Sequence, residues 1–162
     1  MRKAFIKLFI SLHTFFYKLT GGKFGSEMGE YKILLLTTKG RKSGQEFTTP
    51  LGYFDHEDGY LIIASNGGNS HHPDWYFNLL SDPLVSIQIK NQTFKAQAQV
   101  LNGEPRTPVW ERIVAEAPQY GEYEGRTDRL IPVVWLKLSY RYKNHFQPVV
   151  FLIMVGLIGT ET

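Results

Sequence analysis

Between Ile33 and Phe54 the chain reads ILLLTTKGRKSGQEFTTPLGYF, two apolar, strand-like runs flanking a short basic segment bounded by Gly40 and Gly44. Such a pattern predicts a β-hairpin with strands over 31–38 and 47–54. Its turn gathers Arg41, Lys42 and Ser43. A guanidinium fork, an ammonium and a hydroxyl stand there beside glycines that let backbone N–H groups approach a ligand closely, which is the chemistry of a phosphate cradle. A solvated basic hairpin tip draws on the same residue types, and the residues alone leave both readings open.

The 162 residues, 43% of them hydrophobic, suffice for one core and leave no room for a second domain. A net charge of +3, spread along the chain, argues against nucleic acid as a partner. With no Cys there are no disulfides, thiolate chemistry or Cys-based zinc sites, which fits a reducing, cytoplasmic location. The N-terminal MRKAFIKLFISLHTFFYKLTGG is not a signal peptide, since Lys7 and His13 interrupt the apolar run and no small-residue cleavage site follows. At helical spacing Phe5, Leu8, Phe9, Leu12, Phe15, Phe16 and Leu19 share one face, and Lys3, Lys7, Thr14 and Lys18 the opposite one. The amphipathic helix packs this stripe on the core or, in a second reading, lays residues 1–19 on the inner face of the cell membrane.

From Tyr31 onward the pattern is of short strands. After the hairpin, a five-residue connection over 55–59 leads into a strand over 60–65, making a three-strand meander. Asn66–Ser70 is too glycine-rich for helix or strand, and DWYFNLLSDP after His71-His72-Pro73 is a short helix. Residues 84–90 and 94–101 alternate apolar and polar as a second hairpin, Val109, Trp110, Ile113 and Val114 mark a helix ended by Pro118, and LIPVVWLKL over 130–138 is a last strand. The fold class is mainly β with flanking helices (α+β), about six antiparallel strands in a small barrel. Three parts are expected: the helix over 1–22, the barrel domain over 23–138, and a tail of open role over 139–162.

Five blocks stand in order along the chain: LLLTTKGRKSG at 34–44, TPL at 49–51, ASNGG at 64–68, HPDWYFNL at 72–79 and RTDRLIPVV at 126–134. From about Leu19 to Leu138 these resemble the deazaflavin-dependent nitroreductase family. The resemblance implies a split, FMN-binding-like β-barrel that binds coenzyme F420, with FMN as the alternative on the same barrel. It implies hydride transfer from reduced deazaflavin to an electron-poor small-molecule acceptor: a quinone, an activated alkene or a nitro compound. Cofactor contacts would fall on Lys39, Arg41, Lys42, Ser43 and Gly44 for the phosphate and acidic tail, and on Thr49 and Pro50. Ala64, Ser65, Asn66, Gly67 and Gly68, with His72, Pro73, Trp75 and Tyr76, would edge the ring, and Asn78 and Leu79 would set the helix behind it. Tyr120 and Tyr123 would be the catalytic candidates, as hydrogen-bond or proton donors to the reduced acceptor. Two cations that the family often carries are missing, Asn66 standing for a Lys and Phe47 for an Arg, and Lys39 or Lys23 are the compensating candidates. A homodimer is a further expected partner, and a non-catalytic cofactor or lipid carrier the alternative from outside the enzymes.

Other constellations carry blander expectations. His71-His72 lack a third ligand, so no metal site is expected. Asp55, Glu57 and Asp58 read as a solvated turn, and Ser43 and Ser65 lack the partners of a nucleophile. Trp75-Tyr76 serve equally as core and as pocket wall. Asp128 is expected to pair with Arg126 and Arg129 and fix the last strand. The apolar run 149–158 is too short to span a bilayer as a helix.

Overall fold

Strand β2 (Tyr31–Lys39) is hydrogen-bonded along both sides, to β3 (Glu46–His56) through pairs such as Leu35↔Pro50, and to β5 (Leu84–Ile89) through Leu35↔Gln88, Leu36↔Ile87 and Thr37↔Ser86. The remaining pairings run β3 to β4 (Gly59–Ile63), β4 to β7 (Val133–Leu138), β7 to β6 (Gln92–Leu101) and β6 to β5, all antiparallel. The order is therefore circular, a closed six-stranded barrel with no free edge. A two-residue β1 (Glu27–Met28) adds to the start of β2. The protein is seen here in a computed structural model that describes residues 2–28 and 31–139.

Helices cover the barrel's faces and ends: α1 (Arg2–Leu19), α2 (Asp74–Ser81), α3 (Arg106–Glu116) and α4 (Gln119–Glu124). Leu34, Leu36, Ile62, Ile87, Val134 and Leu136 pack together with Trp75 and Leu79 of α2. On the opposite strand face Leu61, Ile63 and Val133 join Trp110 and Ile113 of α3. The outward residues of β2, Ile33 and Leu35, pack against Tyr17 of α1. Ile33 to Leu36 are consequently all buried, which is why this strand reads as a continuous apolar run and not as an alternation.

The described part of α1 does not pack its apolar stripe on the core, the first of the two readings. Tyr17 is completely buried, its hydroxyl donating to the Ile33 carbonyl at 2.9 Å and accepting from the Lys90 N–H at 2.9 Å. The described part of the stripe, Leu12, Phe15, Phe16 and Leu19, stays exposed, while Thr14 is half-buried. The barrel surface beneath offers backbone polar groups, and a phenol satisfies them where a phenylalanine cannot. Gly21 and Gly22, at φ 59° and 75°, close the helix with left-handed residues, and Gly22 N–H returns to the Tyr17 carbonyl at 2.8 Å.

Several boundaries are corrected. The connection expected over 55–59 is the two-residue turn Glu57-Asp58, Glu57 taking φ 41°, because β3 runs on to His56. A Cβ on Gly59 would meet the Leu136 carbonyl, so that glycine is a strand residue allowing close approach. The last strand begins at Val133, since Pro132 has no N–H for the ladder and instead accepts from Ala64 N–H at 2.9 Å. Asn66–Gly68 forms a 3-10 turn, and α4 is a helix that was not anticipated. Asp128 is not an ion-pair centre: Arg126 pairs with Glu122 at 3.3 Å, and Arg129 turns to the 64–72 loop. Beyond Ser139 the tail lies outside the described residues.

Tyr17→Phe removes both hydroxyl bonds and leaves the Ile33 carbonyl under the helix without a donor. The expected loss of stability is about 1–3 kcal/mol in urea unfolding; an unchanged midpoint would mean that the helix is held by other contacts.

Candidate functional site

The basic turn leaves β2 at Lys39 and is closed by its own backbone, Gly40 N–H to the Gln45 carbonyl at 2.7 Å and Gly44 N–H to the Gly40 carbonyl at 2.8 Å. Gly44 is left-handed at φ 70°, and Gly40 has no room for a Cβ beside the Phe47 ring and Ser43 Oγ. Asn78, buried on α2, fixes the turn from below. Its amide oxygen accepts from Arg41 N–H at 3.2 Å, and its amide nitrogen donates to Thr38 Oγ1 at 3.2 Å. The Arg41 guanidinium also lies 5.0 Å over the Phe77 ring. Arg41, Lys42 and Ser43 are exposed at a cavity of about 620 Å³ whose wall includes Thr49, Trp75 and Asn78, with Ser11 of α1 at its border.

One acid stands near: Asp74 Oδ1 is 3.8 Å from Arg41 Nη1 and almost wholly solvent-exposed. An exposed contact at that distance is weak and leaves the guanidinium fork available. Lys39 is not at this cavity; it lines a smaller one of about 320 Å³ with Glu46, Asp82 and Lys95. Lys23 lies at a third, of about 770 Å³, in the glycine-rich loop after α1, which holds none of the motif residues expected to bind cofactor. Thr49 faces the cradle cavity, and Pro50 pairs with Leu35 across β2.

The glycine-rich loop follows β4. Ala64 and Ser65 are buried, and Asn66, Gly67 and Gly68 take φ 50°, 64° and 77° in succession. A Cβ on Gly68 would press on the Tyr123 carbonyl, whereas one on Gly67 would meet nothing within 4 Å, so Gly67 is the open point of the loop. Asn66 Nδ2 donates to the His71 carbonyl at 2.9 Å, closing the loop on itself where the resembling family has a lysine. Arg129 reaches in from before β7: Nε to the Asn69 carbonyl at 2.9 Å, Nη2 to the Ala64 and Ser65 carbonyls at 3.2 and 2.7 Å, and Nη1 to His72 Nδ1 at 2.9 Å. His72 packs on Tyr76 and Phe77 at centroid distances of 4.9 and 5.8 Å, and Pro73 caps α2. Burial, and secondarily Arg129, holds the His72 pKa below its ordinary value. Trp75 is core and cavity wall at once.

The tyrosines stand behind this loop, since α4 carries the Tyr123 carbonyl that abuts Gly68. Tyr120 packs edge-on to Phe54 and to Tyr123, each at 5.9 Å, and burial, with Tyr123 and Tyr31 adding, pushes its pKa up to about 12. Arg126 lies 5.5 Å over the Tyr123 ring. Neither tyrosine lines the cradle cavity. Sequence reasoning missed Arg129 and Phe77; an arginine flanking the last strand was the available signal for the first.

A closed antiparallel barrel carrying a basic cradle and a glycine-rich loop on either side of one helix defines a split-barrel cofactor-binding protein. Residues 10–137 match the F420H(2)-dependent quinone reductase family, and the chain belongs to it. Members are F420-dependent oxidoreductases, and F420 is the family's cofactor. An F420H(2)-dependent quinone reductase of Mycobacterium tuberculosis (strain ATCC 25618 / H37Rv) is 40% identical over 133 residues, 78% of this chain and 88% of its own. Among solved structures, an F420-H2 dependent reductase, FDR-A, is similar at 40% identity with a TM-score of 0.59, covering 65% of this chain and 93% of its own. A chain described as a domain-swapped dimer is 32% identical with a TM-score of 0.63, covering 85% of this chain and 100% of its own. No helix among the described residues is long and apolar enough to cross a membrane.

Proposed function

We propose that this chain holds the phosphate and acidic tail of F420 on the Arg41–Gly44 turn, lays the deazaflavin ring along Ala64–Gly68 and His72–Tyr76, and reduces a quinone. The observation that carries this is the cradle: a turn pinned by a buried Asn78 at the mouth of a cavity of about 620 Å³, its two cations left exposed. Those groups fit a phosphate and carboxylates, as charge-assisted donors on a fixed backbone. When bound, the reduced cofactor supplies the hydride. Trp75 supplies apolar wall, and the loop ahead of it sets the ring's edge.

Tyr123 is our choice for the donor that protonates the reduced acceptor, because its backbone abuts Gly68 of the ring-edge loop, whereas Tyr120 packs against Phe54 with its pKa raised by burial. Biological quinones are lipid-soluble, and the exposed Phe15, Phe16, Leu19 and Phe24, with Lys18 and Lys23 beside them, offer an anionic bilayer an apolar face with flanking cations. Because α1 borders the cradle cavity through Ser11, contact along that face brings the site to the lipid. A second copy of the chain is the competing occupant.

Calorimetric titration checks the cradle. Arg41→Ala and Lys42→Ala should each weaken F420 roughly 10- to 100-fold, from the 1.5–3 kcal/mol of a charged hydrogen bond. A deazaflavin lacking phosphate and glutamates should bind variant and wild type alike. Equal F420 affinity in both variants, or tighter binding of FMN with turnover, would sink the assignment. Tyr123→Phe should lower quinone turnover at unchanged F420 affinity, and wild-type turnover would reduce Tyr123 to packing. Wild type should co-sediment with anionic vesicles at low salt, and a Phe15→Ser, Phe16→Ser, Leu19→Ser variant should not; Tyr17 keeps its fold intact. Dimerisation lost in that variant, without vesicle binding by wild type, would assign the face to a second copy.

A further inference from the structure

Arg129 has no carboxylate partner among the described ion pairs; its charge is answered by three carbonyls and an imidazole. A guanidinium carries five N–H donors, and four contacts here all go to one loop, at Ala64, Ser65, Asn69 and His72. That loop contains the left-handed run Asn66, Gly67 and Gly68, a conformation costly for Asn and entropically expensive for glycine. Something must over-determine it. The side-chain amides of Asn66 and Asn69 bond only within the loop, to the His71 and Asn66 carbonyls. Arg129 ties it from outside.

The same fork sets a protonation state. An arginine is always a donor, so its 2.9 Å contact makes His72 Nδ1 the acceptor and puts the imidazole proton on Nε2. Burial and the neighbouring cation both disfavour the imidazolium, so the neutral form prevails at neutral pH. His72 in turn packs on Phe77, whose ring lies under Arg41. One rigid line therefore joins Arg129 to the ring-edge loop and reaches the phosphate cradle through aromatic packing.

We propose that Arg129 is the positioning residue of the ring-binding loop, which it moulds by its carbonyl bonds while fixing His72 as a neutral Nε2–H donor beside the deazaflavin. The proposal rests on the assignment of the ring to 64–76 made above. It also accounts for Asn66: with the loop held by Arg129, position 66 need not carry a cation, and a short amide that closes the turn suffices.

The experiment compares wild type, Arg129→Gln and Arg129→Lys by titration with intact F420 and with a deazaflavin lacking phosphate and glutamates, alongside Arg41→Ala. Arg129→Gln should weaken both ligands by the same factor, about tenfold or more, the scale of losing charged hydrogen bonds. Arg129→Lys keeps the charge without the fork and should fall short of wild type for both ligands. Long-range nitrogen–proton NMR of wild type should show His72 protonated on Nε2 alone; in Arg129→Gln the tautomers should mix and the His72 pKa should rise. If Arg129→Gln does not fold, Arg129→Lys carries both readouts. Loss confined to intact F420, or wild-type binding with an unmoved His72 tautomer, overturns the proposal. Failure of the wild type to bind the truncated deazaflavin while binding F420 overturns the ring assignment instead.

Discussion

The pairing of β2 on both of its sides is the constraint on which the rest depends. Leu36↔Thr49 on one side and Leu36↔Ile87 on the other make this strand the seam of the barrel, and closure leaves it no solvent edge. Its two faces are then both committed. Leu34 and Leu36 enter the main core, and Ile33 and Leu35 need a cover, which α1 supplies through Tyr17. A helix that covers a strand by way of one phenol can leave its phenylalanines elsewhere. The exposure of Leu12, Phe15, Phe16 and Leu19 is thus a consequence of how the seam is covered.

The seam also sets the site. β2 ends at Thr38 and Lys39, so the basic turn emerges from a strand held on both sides, and Asn78 uses buried Thr38 as the second anchor for the amide that holds Arg41. A buried amide with its oxygen and nitrogen both engaged orients a backbone far better than an exposed ion pair does, because neither group has water to turn to. On the proposed assignment, binding precision would come from the neutral bonds, and affinity from the charges left free.

Much of this was legible in the residues. The hairpin turn, the helix after Pro73 and the second hairpin announce themselves through glycines, alternation and a proline, which are local signals. The helix α4 did not, because Pro118, Gly121 and Gly125 in PQYGEYEG read as turn punctuation while its helicity depends on packing beside α3 and the 66–68 turn. The reading that packed the stripe of α1 on the core failed for a related reason. Periodicity finds an apolar stripe but carries no information on whether the surface opposite is apolar or made of carbonyl and N–H groups. Arg129 illustrates the same limit, since neighbours in sequence suggested Asp128 as its partner and the actual contacts lie some sixty residues away.

The two cations absent by comparison with the resembling family change the site differently. Phe47 closes over Gly40, so the side chain at that position shapes the turn that presents Arg41 and Lys42. Asn66 is spent on the loop's own closure. Exposed positive charge at the cradle cavity is therefore concentrated at 41–42, with Arg129 occupied by the 64–72 loop and Lys39 at another cavity. On the proposed assignment, a site with its free cations at one end would grip the anionic tail there and read the ring by shape and hydrogen bonding. Added salt then weakens the tail's hold far more than the ring's, because screening acts on exposed charges and leaves buried contacts nearly untouched.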